Sequence, residues 1–474
     1  MNAVCRRLAR TARSGAPEPP ILLALLRIAV AAVVLLSPEP AMALAASERA
    51  AVLRIAPAGL AWLGTVVPLT PHAVRVATAL LRASACLVVA GVLTRASLAL
   101  LLACFVYLFG AAQLTGTVVH DMHLAWMMAL LIASPSGDAL SCDAWARGRG
   151  LLGGPCSPAS SMAVLFARVL LGLVYFFPGV RKLAVGGIAW VASDNLRNQM
   201  RFKWFEAGGV AAWPRLDLAP RWCVVAATAV IAFECSFVVL AVTRRGRPVA
   251  LAGGLLFHAM IAHFLYVPFS SLWALYVVLL DGRRLRALLG GGDRTQPRPR
   301  EPGEAFSGPR GPIAAEASGT APTSPVPWAP LAVGVTLVIA VAVQGVRGAT
   351  QAWPVACYPT FETLAPDAIT DLAIELRPGD REDPDGTLRD APDRPPTAWG
   401  TTWRLLGLYG GGIDGARLEA YASELAARSG RSAALARAAR VSFVAETYSI
   451  DPARYGGPPL TRVVVYVADR AEGK

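Results

Sequence analysis

Charge is what this chain has least of. Of its 474 residues only 16% are charged and 55% are apolar, whereas soluble domains carry about 25% charged residues. The deficit falls in the first 350 residues, where apolar runs of eighteen or more recur. Such runs read as transmembrane helices, so a soluble domain is excluded for that part. Lysine is scarcer still: three lysines stand against forty-two arginines. The eight cysteines form no CxxC pair and no finger spacing, so nothing points to structural zinc. Cys86, Cys104, Cys223 and Cys235 fall inside apolar runs, where cysteine acts as a small hydrophobe. Cys357 stands alone in the C-terminal region, and no disulfide can form within it. There is no nucleic-acid motif and no internal repeat.

What charge there is has a pattern. The net charge is +13, but from residue 350 onward 14 basic and 17 acidic residues give −3, leaving 31 basic and 15 acidic residues, or +16, before it. The arginines cluster in short loops between apolar runs, as the positive-inside rule requires. The Arg-rich N-terminus, 146–150, 243–247, 282–286 and the stretch up to 327 are therefore expected on the cytoplasmic side. Spans are expected at about 20–38, 73–93, 96–113, 117–135, 161–183, 222–242, 248–266, 268–281 and 328–346. The fold class is mainly α: a polytopic helical membrane protein of about 8–9 spans with a small C-terminal α+β extramembrane domain. "CRRLARTAR" and the apolar run after it carry the parts of a secretory signal, but Arg27 interrupts the run. The reading preferred is an uncleaved first span.

The domain plan is then a basic cytoplasmic terminus at 1–19, a membrane domain at 20–286, a disordered cytoplasmic linker at 287–327, a further span at 328–346 and an outer domain at 350–474. The linker is rich in Gly, Pro, Arg, Ser and Thr and cannot bury a core. The apolar stretch with charge and proline at 45–69 is expected to be interfacial or re-entrant. "SDNLRNQMRFKWF" (193–205) suits a helix in the headgroup region with Ser193 as N-cap. In the outer domain "DLAIEL", "RVSFVAETYSI" and "TRVVVYVAD" read as strands, "DGARLEAYASELAARS" as a helix and "DREDPDGTLRDAPDRPP" as a loop. Alternation of the spans puts this domain outside the cytoplasm, in the periplasm for a bacterial inner-membrane protein.

Few residues here can carry chemistry. His120 and His123 are three apart and share a helix face with Trp126. His258 and His263, five apart, point differently. Glu234 lies mid-span in "IAFECSF". Intramembrane ionisable groups are costly and tend to face interiors or cavities. The plain alternatives remain: a histidine bonding a carbonyl, or a protonated Glu234 packing against a helix. An HxxH pair with a third histidine could bind a metal, but no carboxylate cluster accompanies it and no metal is expected. Lys182, in "YFFPGVRKL", is one of the rare lysines. It sits either as a snorkelling anchor or as a base, since lysine loses its proton on burial and arginine does not.

Three stretches resemble the HTTM (horizontally transferred transmembrane domain) family, whose best-known member is vitamin K-dependent γ-glutamyl carboxylase. "VYFFPGVRKL" is similar to its Tyr-Phe-x-x-Gly-x-x-Lys-Leu helix, with Lys182 at the place of the catalytic lysine. "HDMHLAWMMALLIASPSGDALSCDAW" resembles its histidine-led span; counting back from Asp143 puts His120 at the functional histidine, with His123 the alternative. "LLFHAMIAHFLY" resembles a later span and brings in His258. The similarity covers about residues 20–282 and implies a bundle of the family's kind. It implies Lys182 as base toward reduced vitamin K or another quinol, with His120 and His258 in support. Tyr175, His123, His263, Glu234 and Trp126 are the candidates for substrate contact. Val119 stands where the carboxylase has Asn, "AVGG" follows the Lys-Leu pair, and the outer domain is much shorter. Two functions stay open. One is a carboxylase-like lyase or quinol oxygenase. The other is a non-enzymatic lipid- or quinone-binding membrane protein whose outer domain binds a periplasmic partner.

Overall fold

A computed structural model describes residues 18–469 except 55, 57–59, 61, 64–66, 116–120, 155, 290–325, 350–351, 357–360, 378–385, 389–395 and 409–411; of 115 and 396–400 only the backbone is described. The helices follow the apolar runs. α1 (Ile21–Leu36) and α2 (Glu39–Glu48) form one interrupted span, broken at Ser37 and Pro38. α3 (Pro71–Ala90) starts where the Thr70 hydroxyl accepts from the Ala73 N–H at 3.2 Å and proline takes the first position. It stops at Gly91, at φ 68, where an added Cβ would lie 2.2 Å from that of Ser141. Then come α4 (Thr94–Ala112), α5 (Met122–Ala133), α6 (Pro158–Gly186), α7 (Asn195–Glu206), α8 (Pro220–Val242), α9 (Arg247–Leu265), α10 (Ser270–Leu275) and α11 (Trp328–Arg347).

Each of the nine expected spans has its helix. Seven among the described residues are long and apolar enough to cross a membrane; α5 and α10 are shorter. At 1.5 Å per residue a helix the length of α5 covers roughly 18 Å, short of a hydrocarbon core of about 30 Å. Its residues Met122–Leu131 are almost wholly buried, and irregular backbone at membrane depth is tolerated where protein surrounds it. Two arginines are also buried. Arg27 donates to the carbonyls of Ser136 at 2.8 Å, Ala139 at 3.5 Å and Leu140 at 2.5 Å. Arg168 donates to the Val278 carbonyl at 2.7 Å and pairs with Glu18 at 2.8 Å.

The C-terminal domain is a four-stranded antiparallel sheet in the order β2-β1-β3-β4, with β1 Ala368–Arg377, β2 Thr387–Leu388, β3 Arg440–Ser449 and β4 Thr461–Asp469. β1 and β3 pair along their whole length, from Ala368 opposite Ser449 to Arg377 opposite Arg440. α12 (Pro396–Leu405) and α13 (Gly415–Arg428) accompany it, and Asp414 caps α13. Leu418, Tyr421 and Leu425 of α13 meet Leu372, Ile374 and Phe443 in one core. The strands and α13 lie where alternation placed them. β2 falls inside the stretch expected to be a loop, and α12 was not expected, because its proline, glycine and threonines carry little helical signal.

Two other expectations change. The 45–69 stretch is not merely interfacial: Arg49 pairs with Glu424 at 2.8 Å and Leu53 enters the core of the C-terminal domain. α7 forms, but Asp194 is its N-cap residue rather than Ser193, whose hydroxyl donates to the Ala189 carbonyl at 2.6 Å. One face of α7 meets protein rather than headgroups. Phe202 packs on Trp403, Phe205 on Tyr448 and Tyr455, and Arg201 reaches Asp217 at 3.0 Å and Asp451 at 3.4 Å. The basic terminus up to 17 and the linker between 290 and 325 lie outside the described residues.

Candidate functional site

α6 is 29 residues long and carries Tyr175, Pro178 and Lys182. Spacings of three and seven residues put them on one face. Two glycines of α6 bring α8 against it. A Cβ on Gly172 would lie 2.7 Å from Val238 Cα, and one on Gly179 would lie 2.9 Å from Glu234 Cβ. Small residues that let backbones approach are the usual packing device inside membranes. Here the approach brings Lys182 Nζ within 2.6 and 2.7 Å of the two Glu234 oxygens. Both residues are buried, 3% and 4% exposed. The ammonium also lies 5.3 Å from the centre of the Trp190 ring, a distance at which a ring face attracts a cation.

A second polar group stands farther along α6. The Tyr175 hydroxyl is 2.6 Å from His258 Nε2 and hydrogen-bonded to the Tyr276 hydroxyl. Phe237 stacks on the Tyr175 ring at 4.0 Å. Gly254 of α9 makes room for Tyr276, since a Cβ there would lie 2.3 Å from its oxygen.

The two groups border one cavity of about 90 Å³, between α5, α6, α8 and α9, well above the roughly 10–15 Å³ that a water centre needs. Val174, Pro178, Leu196 and Leu272 give it apolar walls. Val230 on α8 with Phe257 and Ile261 on α9 are only half-buried. They belong to two helices whose apolar stretches are only lightly buried within the protein. Phe361, in the segment before β1, also lines the cavity, its carbonyl accepting from Trp190 Nε1 at 2.8 Å. Gln199 of α7 lines it too and donates to the Thr363 carbonyl at 3.3 Å.

Lys182, Glu234, Tyr175, His258 and His123 thus line one cavity. Trp126 and His263 do not. The Trp126 Nε1–H donates to the Pro354 carbonyl at 2.7 Å, and His263 Nε2 lies 2.7 Å from the Trp213 carbonyl on the exposed side of α9. His120 lies outside the described residues. Tyr276, Gln199 and Phe361 were not singled out from the sequence. A tyrosine in an apolar run, a glutamine on an amphipathic helix and a phenylalanine in a loop carry no signal there that marks a site. Among the described residues no three His, Cys, Asp or Glu side chains come together as a metal centre would need.

Between α7 and α8 a charge cluster forms around Asp217. Burial pushes the Asp217 carboxyl up, but hydrogen bonds from Arg215 at 2.7 Å and Arg201 at 3.0 Å outweigh it and hold it below the usual carboxylate range.

No curated protein and no solved structure matches the chain. The family model for the HTTM domain matches residues 16–280, more than half of the chain. With that match and seven helices fit to cross a membrane, the chain belongs to the HTTM domain family and is an integral multi-pass membrane protein.

Proposed function

We propose that the protein is a membrane enzyme of the vitamin K-dependent carboxylase type, taking a lipid-soluble hydroquinone as substrate and using Lys182 as the base. The observation that carries this reading is the Lys182–Glu234 pair on the wall of an apolar cavity bordered by half-buried residues of α8 and α9. An isolated charge is costly at that depth, and a pair held by two short bonds can exchange its proton. When the proton passes to Glu234, Lys182 is a neutral amine facing the cavity. It takes the phenolic proton of the hydroquinone: the O–H bond breaks, its electron pair stays on oxygen, and the new ammonium faces the phenolate. A phenol with an ordinary value near 10 is within reach of such a base. A bound hydroquinone would supply, with dioxygen, the strong base that carboxylase-type chemistry needs to remove a glutamate γ-proton before CO₂ is added. His258, held by Tyr175, orients the other end of the ring.

Lys182→Arg keeps the cation and its partner but cannot give up a proton. Glu234→Gln removes the group that accepts it. Both variants should bind a naphthohydroquinone and lose its oxidation; turnover near wild type in either one returns Lys182 to an anchoring role. One observation favours a second reading, a non-enzymatic quinone- or lipid-binding protein: Lys182 is bonded to both oxygens of Glu234, as a fixed structural ion pair would be. Binding without turnover in the wild type would support it.

The same proposal places the chain in a bacterial inner membrane with the C-terminal domain outside the cytoplasm, where a protein partner would meet it. The Arg-rich loops at 146–150, 243–247 and 282–286 support that orientation. A phosphatase fused after residue 474 should be active and one near residue 300 inactive; the reverse pattern overturns the orientation.

A further inference from the structure

Pro178 stands inside α6, three residues after Tyr175 and four before Lys182, and all three line the cavity. A helical carbonyl points at the N–H four residues on, and proline has none. The Val174 carbonyl therefore lacks its regular donor, although α6 continues without a break from Pro158 to Gly186. Val174 and Pro178 both line the cavity, so the turn of α6 between them borders it. The neighbouring polar side chains are directed elsewhere: Lys182 Nζ to Glu234, Tyr175 to His258 and Tyr276. Inside a bilayer an exposed carbonyl is expensive until a donor reaches it.

We propose that the Val174 carbonyl is a hydrogen-bond acceptor for the ligand, and that Pro178 thereby sets the cavity's preference for a hydroquinone over the corresponding quinone. This rests on reading the cavity as a hydroquinone site. A hydroquinone brings an O–H that the carbonyl can accept. A quinone brings only carbonyl oxygens, which face Val174 acceptor to acceptor. A site whose buried polar group is left unpaired by the wrong ligand discriminates strongly against it. Any residue other than proline at 178 returns an N–H to the helix and satisfies the carbonyl internally.

The test uses the full chain in lipid nanodiscs under anaerobic conditions, with quenching of tryptophan fluorescence as readout. The ligands are 1,4-naphthohydroquinone, its dimethyl ether and 1,4-naphthoquinone. In Pro178→Ala the preference for hydroquinone over both the dimethyl ether and the quinone should fall by about 3- to 10-fold, the range of one hydrogen bond. Pro178→Val restores the same N–H with a side chain closer to the ring in size and should give the same loss, which separates the effect from a void or a misfolded helix. An undiminished preference in these variants overturns the inference and leaves the hydroquinone site standing. Failure of the wild type to bind any of the three rings overturns both.

Discussion

Two regions of the bundle hold buried cations, and they hold them differently. At one end Arg27 spreads its guanidinium over three backbone carbonyls and Arg168 ties a carbonyl to Glu18. Neither borders the cavity. At the other end Lys182 meets one carboxylate, and the pair faces open space. Arginine has five donors in a fixed fork and does not release its proton, so it suits the first task. Lysine is a point charge that can, so it suits the second. A chain with forty-two arginines and three lysines thus places one of its rare lysines, rather than an arginine, on the cavity wall.

The comparison breaks most sharply if one partner is removed. Lys182→Ala should cost about 3–5 kcal/mol in thermal unfolding, the usual loss when a buried ion loses its partner. Lys182→Ala with Glu234→Ala should recover a substantial part of it. Equal losses in the single and double variants would mean that the pair is not coupled. Arg27→Met should cost about 1–3 kcal/mol, because carbonyls are left unsatisfied, with naphthohydroquinone affinity unchanged. A loss of ligand binding in that variant would erase the distinction between the two ends. Gly179→Val pushes α6 from α8 and should cost about 1–3 kcal/mol by overpacking, reducing turnover more than ligand affinity.

Much of this was legible in advance, and the limits have physical causes. The membrane helices follow from composition alone, because a span must be apolar over its length. Lys182, Glu234 and His258 stood out because ionisable groups in apolar runs are rare. Their convergence was not legible: Lys182 and Glu234 are 52 residues apart, and Gly179, not either charged residue, sets the approach. Sequence spacing placed Trp126 with His123 on one face, yet only His123 reaches the cavity, since Trp126 turns to Pro354, 228 residues away. The strands of the C-terminal domain were readable because β-branched residues recur there, whereas the two-residue β2 is too short for any period to register.

The smallest expected effect sharpens the contrast from the segment between α7 and α8. Asp217 binds Arg215 and Arg201, and Arg201 reaches Asp451 of the C-terminal domain. Its folded value lies below the ordinary carboxylate value of about 3.9. The stabilisation is therefore complete above about pH 4 and is lost as pH falls through the folded value. Wild type and Asp217→Asn should differ in unfolding temperature near neutrality and converge on acidification. A gap that persists at low pH would mean the carboxylate charge is not what holds this joint.

The order of synthesis gives the Lys182–Glu234 pair one more meaning. Lys182 emerges 52 residues before its counter-ion. Until α8 follows, α6 carries an uncompensated ammonium near its end, at a cost of up to about 3 kcal/mol if held at depth. α6 is thus an incomplete membrane segment by itself and settles only when α8 joins it. The α6–α8 pair is then expected to insert as a unit, and a chain truncated before Glu234 should leave α6 shallower in the membrane than the finished protein does.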